Sequence, residues 1–154
     1  MDELVLDTTY LLPIFGVSIK LPRFKELFPK ILSRYRVLYN PVSIIEAKWI
    51  VLGLSRGKQE RSLALARYRR GLKTLLLGKR LIQTVLTSPE IEEVADELLI
   101  AAGLQDYFDR IIYATAAIRD AILLTEDQEL HQAARNSGLP RPRRVLRWLD
   151  LAIV

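Results

Sequence analysis

Cysteine is absent from this 154-residue chain, and histidine occurs once, at His131. The first absence excludes disulfide frameworks and thiolate zinc sites, and the second excludes any cage built from several imidazoles. A metal held by this chain must therefore be held by oxygen, which favours hard cations such as magnesium or manganese. Long apolar runs are missing too: none approaches the roughly eighteen residues of a membrane span. Residues 1–7 carry acids where a secretory signal would carry positive charge, so a cytoplasmic location is expected. Repeats, low-complexity tracts and Ser/Gly linkers are also lacking. Residues 1–154 thus read as a single domain, in keeping with a chain that is 50% apolar.

What the chain has in excess is positive charge, 23 Lys and Arg against 18 Asp and Glu, concentrated between Arg56 and Arg80 and again between Arg141 and Arg147. Such clusters suit a polyanionic partner. Arg56, Lys58, Arg61, Arg67, Arg69, Arg70 and Lys73 are the candidate contacts to an RNA backbone, where phosphate neutralisation gives affinity without sequence preference. The competing reading is a solvated helix face opposite Leu65, Leu72, Leu75 and Leu76. A membrane-surface helix is less favoured, because no lipidation motif accompanies it. Arg141, Arg143, Arg144 and Arg147 fit either RNA contact or decoration of a last strand.

Short apolar runs at residues 4–6, 37–39 and 122–124 are apolar on both faces, as expected of parallel strands covered by helices. A fourth strand is expected at 84–86 and a weaker fifth near Val145. Three- and four-residue spacing predicts helices at 22–33, 41–54, 58–77, 89–102, 107–119 and 126–136. Strand and helix in alternation imply an α/β fold with right-handed crossovers. Ligands of such sheets bind outside the carboxyl ends of the strands, so acids at those ends are candidates for chemistry.

Four acids stand out. Asp7 ends the first strand in LVLDTTYLL, and Asp127 ends another in ILLTEDQEL. Asp7 also suits the N-cap of a following helix, while Thr125 and Gln128 have the spacing of a capping box that would explain Asp127 by helix stability. Asp109 falls in a first turn that Asp106 is placed to cap. Glu46 lies past the first turn of a helix opened by Asn40 and Pro41, in line with Val42, Trp49, Ile50 and Gly53, so its carboxylate needs a partner; Ser43 offers a capping-box alternative. Two carboxylates about 5 Å apart repel by roughly 3 kcal/mol at an effective dielectric near 20. A shared crevice for all four is therefore costly as mere scaffold, and a cation reverses the sign. His131 sits among Gln128 and Gln132 and reads as an ordinary surface residue, whereas Trp49, Tyr113 and Trp148 read as core or interface aromatics.

Taken in order, LVLDTTYLL, NPVSIIEAKW, DRIIYATAA and ILLTEDQEL resemble the PIN domain, and most closely its VapC-type toxins. The resemblance covers nearly the whole chain. It implies a three-layer α/β/α sandwich with a central, mostly parallel sheet and a magnesium- or manganese-dependent endoribonuclease. It assigns Asp7, Glu46, Asp109 and Asp127 to the acidic quartet, Thr8 and Thr125 to supporting hydroxyls, and Glu129 to an additional acid. It prefers Asp109 to Asp106, because only Asp109 keeps register with Ala114, Thr115 and Ala116. The implied reaction is in-line hydrolysis of an RNA phosphodiester, with Asp127 serving a second ion or orienting water. An antitoxin partner and a homodimer are further expectations. The rivals are a silent PIN-like binding module and a phosphoacceptor receiver domain. The latter lacks its acid pair after the first strand and its late lysine, since none follows Lys79.

Overall fold

Burial on both faces is what a parallel sheet demands of its strands, and the three central runs meet it almost completely. In the computed structural model, which describes residues 1–152, these runs become β1 (Glu3–Leu6), β2 (Arg36–Tyr39) and β4 (Ile122–Leu124). They are flanked by β3 (Leu81–Gln83) and β5 (Arg144–Leu146). The sheet is parallel throughout, in the order β3-β2-β1-β4-β5. From β1 the chain winds outward through β2 and β3, then returns to the other side of β1 with β4 and β5. The strand order reverses between β1 and β4, the place outside whose carboxyl ends ligands of such sheets bind.

The helices are α1 (Phe24–Arg34), α2 (Val42–Leu54), α3 (Gly57–Leu77), α4 (Pro89–Ala102), α5 (Tyr107–Ile118), α6 (Gln128–Ala133) and α7 (Trp148–Ala152). Alternation along the strands sorts the core into two clusters. Val5, Leu38 and Leu123 face α4, α5 and α6, whereas Leu4, Leu6, Val37, Tyr39, Ile122 and Leu124 face α1, α2, α3 and Trp148. The result is the expected three-layer α/β/α arrangement. On α5, the fully buried Ala114 and Ala116 leave room for close packing. Thr115 turns its hydroxyl to the Ile111 carbonyl at 2.8 Å.

Several boundaries differ from the sequence expectation. The fourth strand lies at Leu81–Gln83 rather than 84–86. Register with β2 decides this: Gln83 pairs with Tyr39, and the Asn40 amide then takes the Val85 and Leu86 carbonyls at 3.2 and 3.0 Å. The apolar side chains that suggested a strand at 84–86 are largely exposed at Val85 and Leu86. The sixth helix is shorter than 126–136: Asp127 caps its start by accepting from Glu129 N and Leu130 N, and it ends at Ala133. Between β1 and α1 the chain forms a 3-10 helix over Thr8–Phe15, which periodicity near 3.6 does not reveal. Trp49 lies 70% exposed, so the inward side of α2 is carried by Val42, Ala47 and Val51 instead.

The 3-10 helix is held by α3. Tyr68 stacks on Phe15 with centroids 4.8 Å apart, and its hydroxyl donates to the Ile44 carbonyl of α2 at 2.7 Å. Gly71 permits this approach, since a Cβ there would lie 2.2 Å from the Ile14 carbonyl oxygen. Gly53 in α2 is the opposite case, with nothing within 4 Å of a added Cβ. Gly71→Ala should therefore lose about 2 kcal/mol or more through overpacking. Gly53→Ala should gain roughly 0.5–1 kcal/mol from helix propensity. Urea unfolding of the two variants checks both signs.

Candidate metal centre

The carboxyl end of β1 places Asp7 beside the end of β4. Asp7 is 7% exposed. One oxygen accepts from Thr8 N at 2.8 Å and the other from the Thr125 hydroxyl at 2.6 Å. Thr125 follows β4 directly, so the two strands at the reversal point meet through this bond. Glu46 enters from the second turn of α2 and Asp109 from the first turn of α5. The chain brings oxygens of Asp7, Glu46 and Asp109 to within 4.8 Å of one another, Asp7 buried and the other two half-buried.

Among the described residues, no salt bridge balances this charge: the ion pairs engage Asp2, Glu3, Glu26 and Asp120, and none of the three clustered acids. The electrostatic consequence is direct. Burial first, then Asp7, Asp106, Glu46 and Asp127, push the Asp109 carboxyl up to about 8. Burial raises Asp7 as well, against the opposing bonds from Thr125 and Thr8, with Asp127 and Asp106 adding to the rise. Glu46 is raised by burial and by Asp7, Asp106 and Asp127, with the nearby Thr8 hydroxyl opposing the rise. All-oxygen donors with a surplus of negative charge match the preference of a hard divalent cation, so the residues fit such an ion.

The remaining acids take other places. Asp127 is half-buried and adds to the field at all three carboxylates, but its Oδ1 is engaged as the cap of α6, accepting from Glu129 N at 2.8 Å and Leu130 N at 3.2 Å. It is not one of the three clustered acids. The Thr125 hydroxyl accepts from Asp127 N at 3.0 Å, so the cap falls on Asp127 rather than on a Thr125–Gln128 box. Asp106 caps α5 by accepting from Asp109 N at 3.1 Å. Glu129 is exposed and outside the cluster. His131 is half-buried rather than superficial: its Nε2 lies 2.8 Å from the Thr125 carbonyl, which occupies the ring at the end of β4.

Two participants escape the sequence reading. Ser43, weighed there only as a cap, is fully buried and accepts from the Thr8 hydroxyl at 2.8 Å, tying α2 to the 3-10 helix below Glu46. Glu126 accepts from the Tyr10 hydroxyl and from Trp148 N. Ser43 carries only its three-residue spacing from Glu46 as a signal, and Glu126 only its place beside Asp127.

The basic residues of the α3 segment are all on the surface. Arg56, Lys58, Arg61, Arg67, Arg69, Arg70 and Lys73 are exposed on or beside α3, and none enters a salt bridge among the described residues. Tyr68, Gly71 and Leu75 form the buried side, whereas Leu76, expected there, is exposed. The C-terminal arginines are more engaged: Arg143 pairs with Asp2 and Asp120, and Arg147 donates to the Glu126 carbonyl.

The PIN domain family model matches residues 4–136. The chain belongs to the PIN domain family. Solved structures of similar fold include VapBC2 from Rickettsia felis bound to a DNA fragment from its promoter, at 15% identity and a TM-score of 0.63. That likeness covers 95% of this PIN domain chain and 98% of the other. VapBC-5 from Mycobacterium tuberculosis, of a toxin-antitoxin family, follows at 18% identity and a TM-score of 0.55, with 96% and 98% covered. FitAcB from Neisseria gonorrhoeae shares 16% identity with a TM-score of 0.56 over 82% and 88%. At such identities the likeness is one of fold. A search of curated proteins finds no significant sequence match. Among the described residues, no helix of this PIN domain is long and apolar enough to cross a membrane.

Raised carboxyls make stability depend on pH with a definite sign. An acid near 8 in the folded state and near 4 when unfolded keeps its proton longer in the folded protein, so stability falls as pH rises between those values. The metal-free protein should accordingly melt lower at pH 8 than at pH 5. Millimolar manganese should restore the loss at pH 8 and do little at pH 5, where protons compete for the ligands. Differential scanning calorimetry with and without chelator reads both effects.

Proposed function

We propose that this PIN domain is a divalent-metal-dependent endoribonuclease, with Asp7, Glu46 and Asp109 holding magnesium or manganese. The observation that carries the reading is the convergence of these three carboxylates with no salt-bridge partner among the described residues. When bound, the cation supplies Lewis-acid activation of water and neutralises charge developing on the phosphate. Thr125 orients Asp7, and Thr8 connects Asp7 to α2 through Ser43. Asp127 contributes negative potential at the rim, where it orients water or assists a second ion, and Glu129 lies further out on α6. The exposed basic side of α3 supplies phosphate contacts, since α3 packs against both the 3-10 helix and α2, which flank the acids.

Partners follow from the same reasoning. The structural neighbours from Rickettsia felis and Mycobacterium tuberculosis are VapBC proteins, which supports a toxin role held in check by an antitoxin. Exposed Ile45 and Trp49 on α2, with Val85 and Leu86 after β3, give an apolar surface suited to a second copy of the chain. A cytoplasmic protein acting on RNA is consistent with these properties.

Asp7→Asn keeps the shape of the side chain and removes one charge from a repelling set. It should abolish magnesium-dependent cleavage of single-stranded RNA, while in chelator at pH 8 it melts a few degrees above wild type. Retained cleavage at equal purity contradicts the assignment. A silent binding module predicts RNA binding with no cleavage in either protein. Neutralising Arg67, Arg69 and Arg70 together should lower the slope of RNA affinity against salt by about 2 to 3 on logarithmic axes, read by fluorescence anisotropy. An unchanged slope places the RNA elsewhere.

A further inference from the structure

One carboxylate outside the acidic cluster joins three segments that the chain otherwise keeps apart. Glu126 lies between Thr125, which holds Asp7, and Asp127, which caps α6. Its Oε2 accepts from the Tyr10 hydroxyl at 2.8 Å and from Trp148 N at 2.9 Å. Its main-chain oxygen accepts from Arg147 at 3.2 Å. Tyr10 is fully buried and stands three residues after Asp7, with its N–H on the Asp7 carbonyl at 3.2 Å. Trp148 is also fully buried, stacked near Tyr10 and anchored by its indole N–H on the Pro22 carbonyl at 2.8 Å.

We propose that Glu126 is a positioning residue for the metal centre, and that through it the C-terminal segment 144–151 fixes the loop that presents Thr125 to Asp7. This inference rests on the metal reading above. The physical reason is geometric. Asp7 can be aligned only if the ends of β1 and β4 keep their separation, and the Thr125 bond spans that separation directly. Glu126 spans it a second time, one residue further along, from the β4 end to the 3-10 helix that continues β1. It also recruits the start of α7 as a wedge behind both. Burial and the neighbouring Glu126 carboxylate raise the Tyr10 hydroxyl far above its ordinary range, so it remains a donor to Glu126 at any working pH. Outer residues that orient metal ligands commonly change metal affinity by about ten- to a hundredfold when removed.

The test is manganese binding by titration calorimetry on the full chain, with thermal midpoints in chelator measured alongside. Glu126→Ala should weaken manganese binding about tenfold or more, whereas Glu126→Gln, which keeps an acceptor oxygen in place, should stay within about threefold of wild type. Tyr10→Phe, which removes a hydroxyl and preserves the buried ring, should fall between them and carries the test if Glu126→Ala does not fold. Wild-type affinity in Glu126→Ala or in Tyr10→Phe, with only the midpoint lowered, overturns the proposal and leaves Glu126 as an architectural clip. Failure of the wild-type protein to bind manganese at all overturns the metal reading and this inference with it.

Discussion

Carboxylates that approach within 4.8 Å repel one another, and burial removes the water that would screen them. Around Asp7, Glu46 and Asp109 the described residues supply hydroxyl and amide donors but no ammonium or guanidinium group in a salt bridge. Hydrogen bonds from Thr125 and Thr8 offset part of the cost at Asp7, yet its carboxyl remains raised, as do those of Glu46 and Asp109. Evolutionary scaffolding alone would replace such a set with apolar side chains, since burying unpaired charge destabilises the fold. The whole functional reading depends on this imbalance, because a cation is what converts it into cohesion.

The fold sustains the imbalance by rigid means. Asp7 and Thr125 leave adjacent parallel strands whose register is set by buried ladders at Leu4–Leu6 and Ile122–Leu124. Glu46 and Asp109 stand on helices whose opening turns are pinned, α2 by Asn40 accepting from Val42 N and α5 by the Asp106 cap. Asn40 also binds Thr115 of α5 at 2.9 Å, so the two helices that bring in acids are tied to each other below the site. These ties hold the acid-bearing elements in place, and polar residues of this kind tune a metal wherever one is bound.

Much of this was legible in the sequence. The three central strands are apolar on both faces and adjoin recognisable caps, so residues 4–6, 37–39 and 122–124 stand where they were expected. Asp7, Glu46 and Asp109 could be singled out because two periodicities, strand ends and helix stripes, aim them at one edge of the sheet. Edge strand β3 was misplaced because its neighbours Val85 and Leu86 are apolar yet exposed, and local pattern carries no register. The 3-10 helix was missed because its three-residue turns and Pro13 break the usual spacing. Helical spacing puts Trp49 in the stripe of Val42, Glu46 and Ile50, whereas the buried side of α2 is Val42, Ala47 and Val51 and leaves Trp49 outside, where only its reading as an interface aromatic stays open. Capping and clustering also prove compatible. Asp7 caps the 3-10 helix while joining the cluster, and Asp127 caps α6 while shaping its field.

The measurement closest to the central claim is a crystal structure grown with manganese and read by anomalous scattering. The account predicts one strong peak bonded to carboxylate oxygens of Asp7, Glu46 and Asp109. A peak elsewhere on the protein, or a lysine or arginine filling that space at full manganese occupancy of the medium, would contradict it.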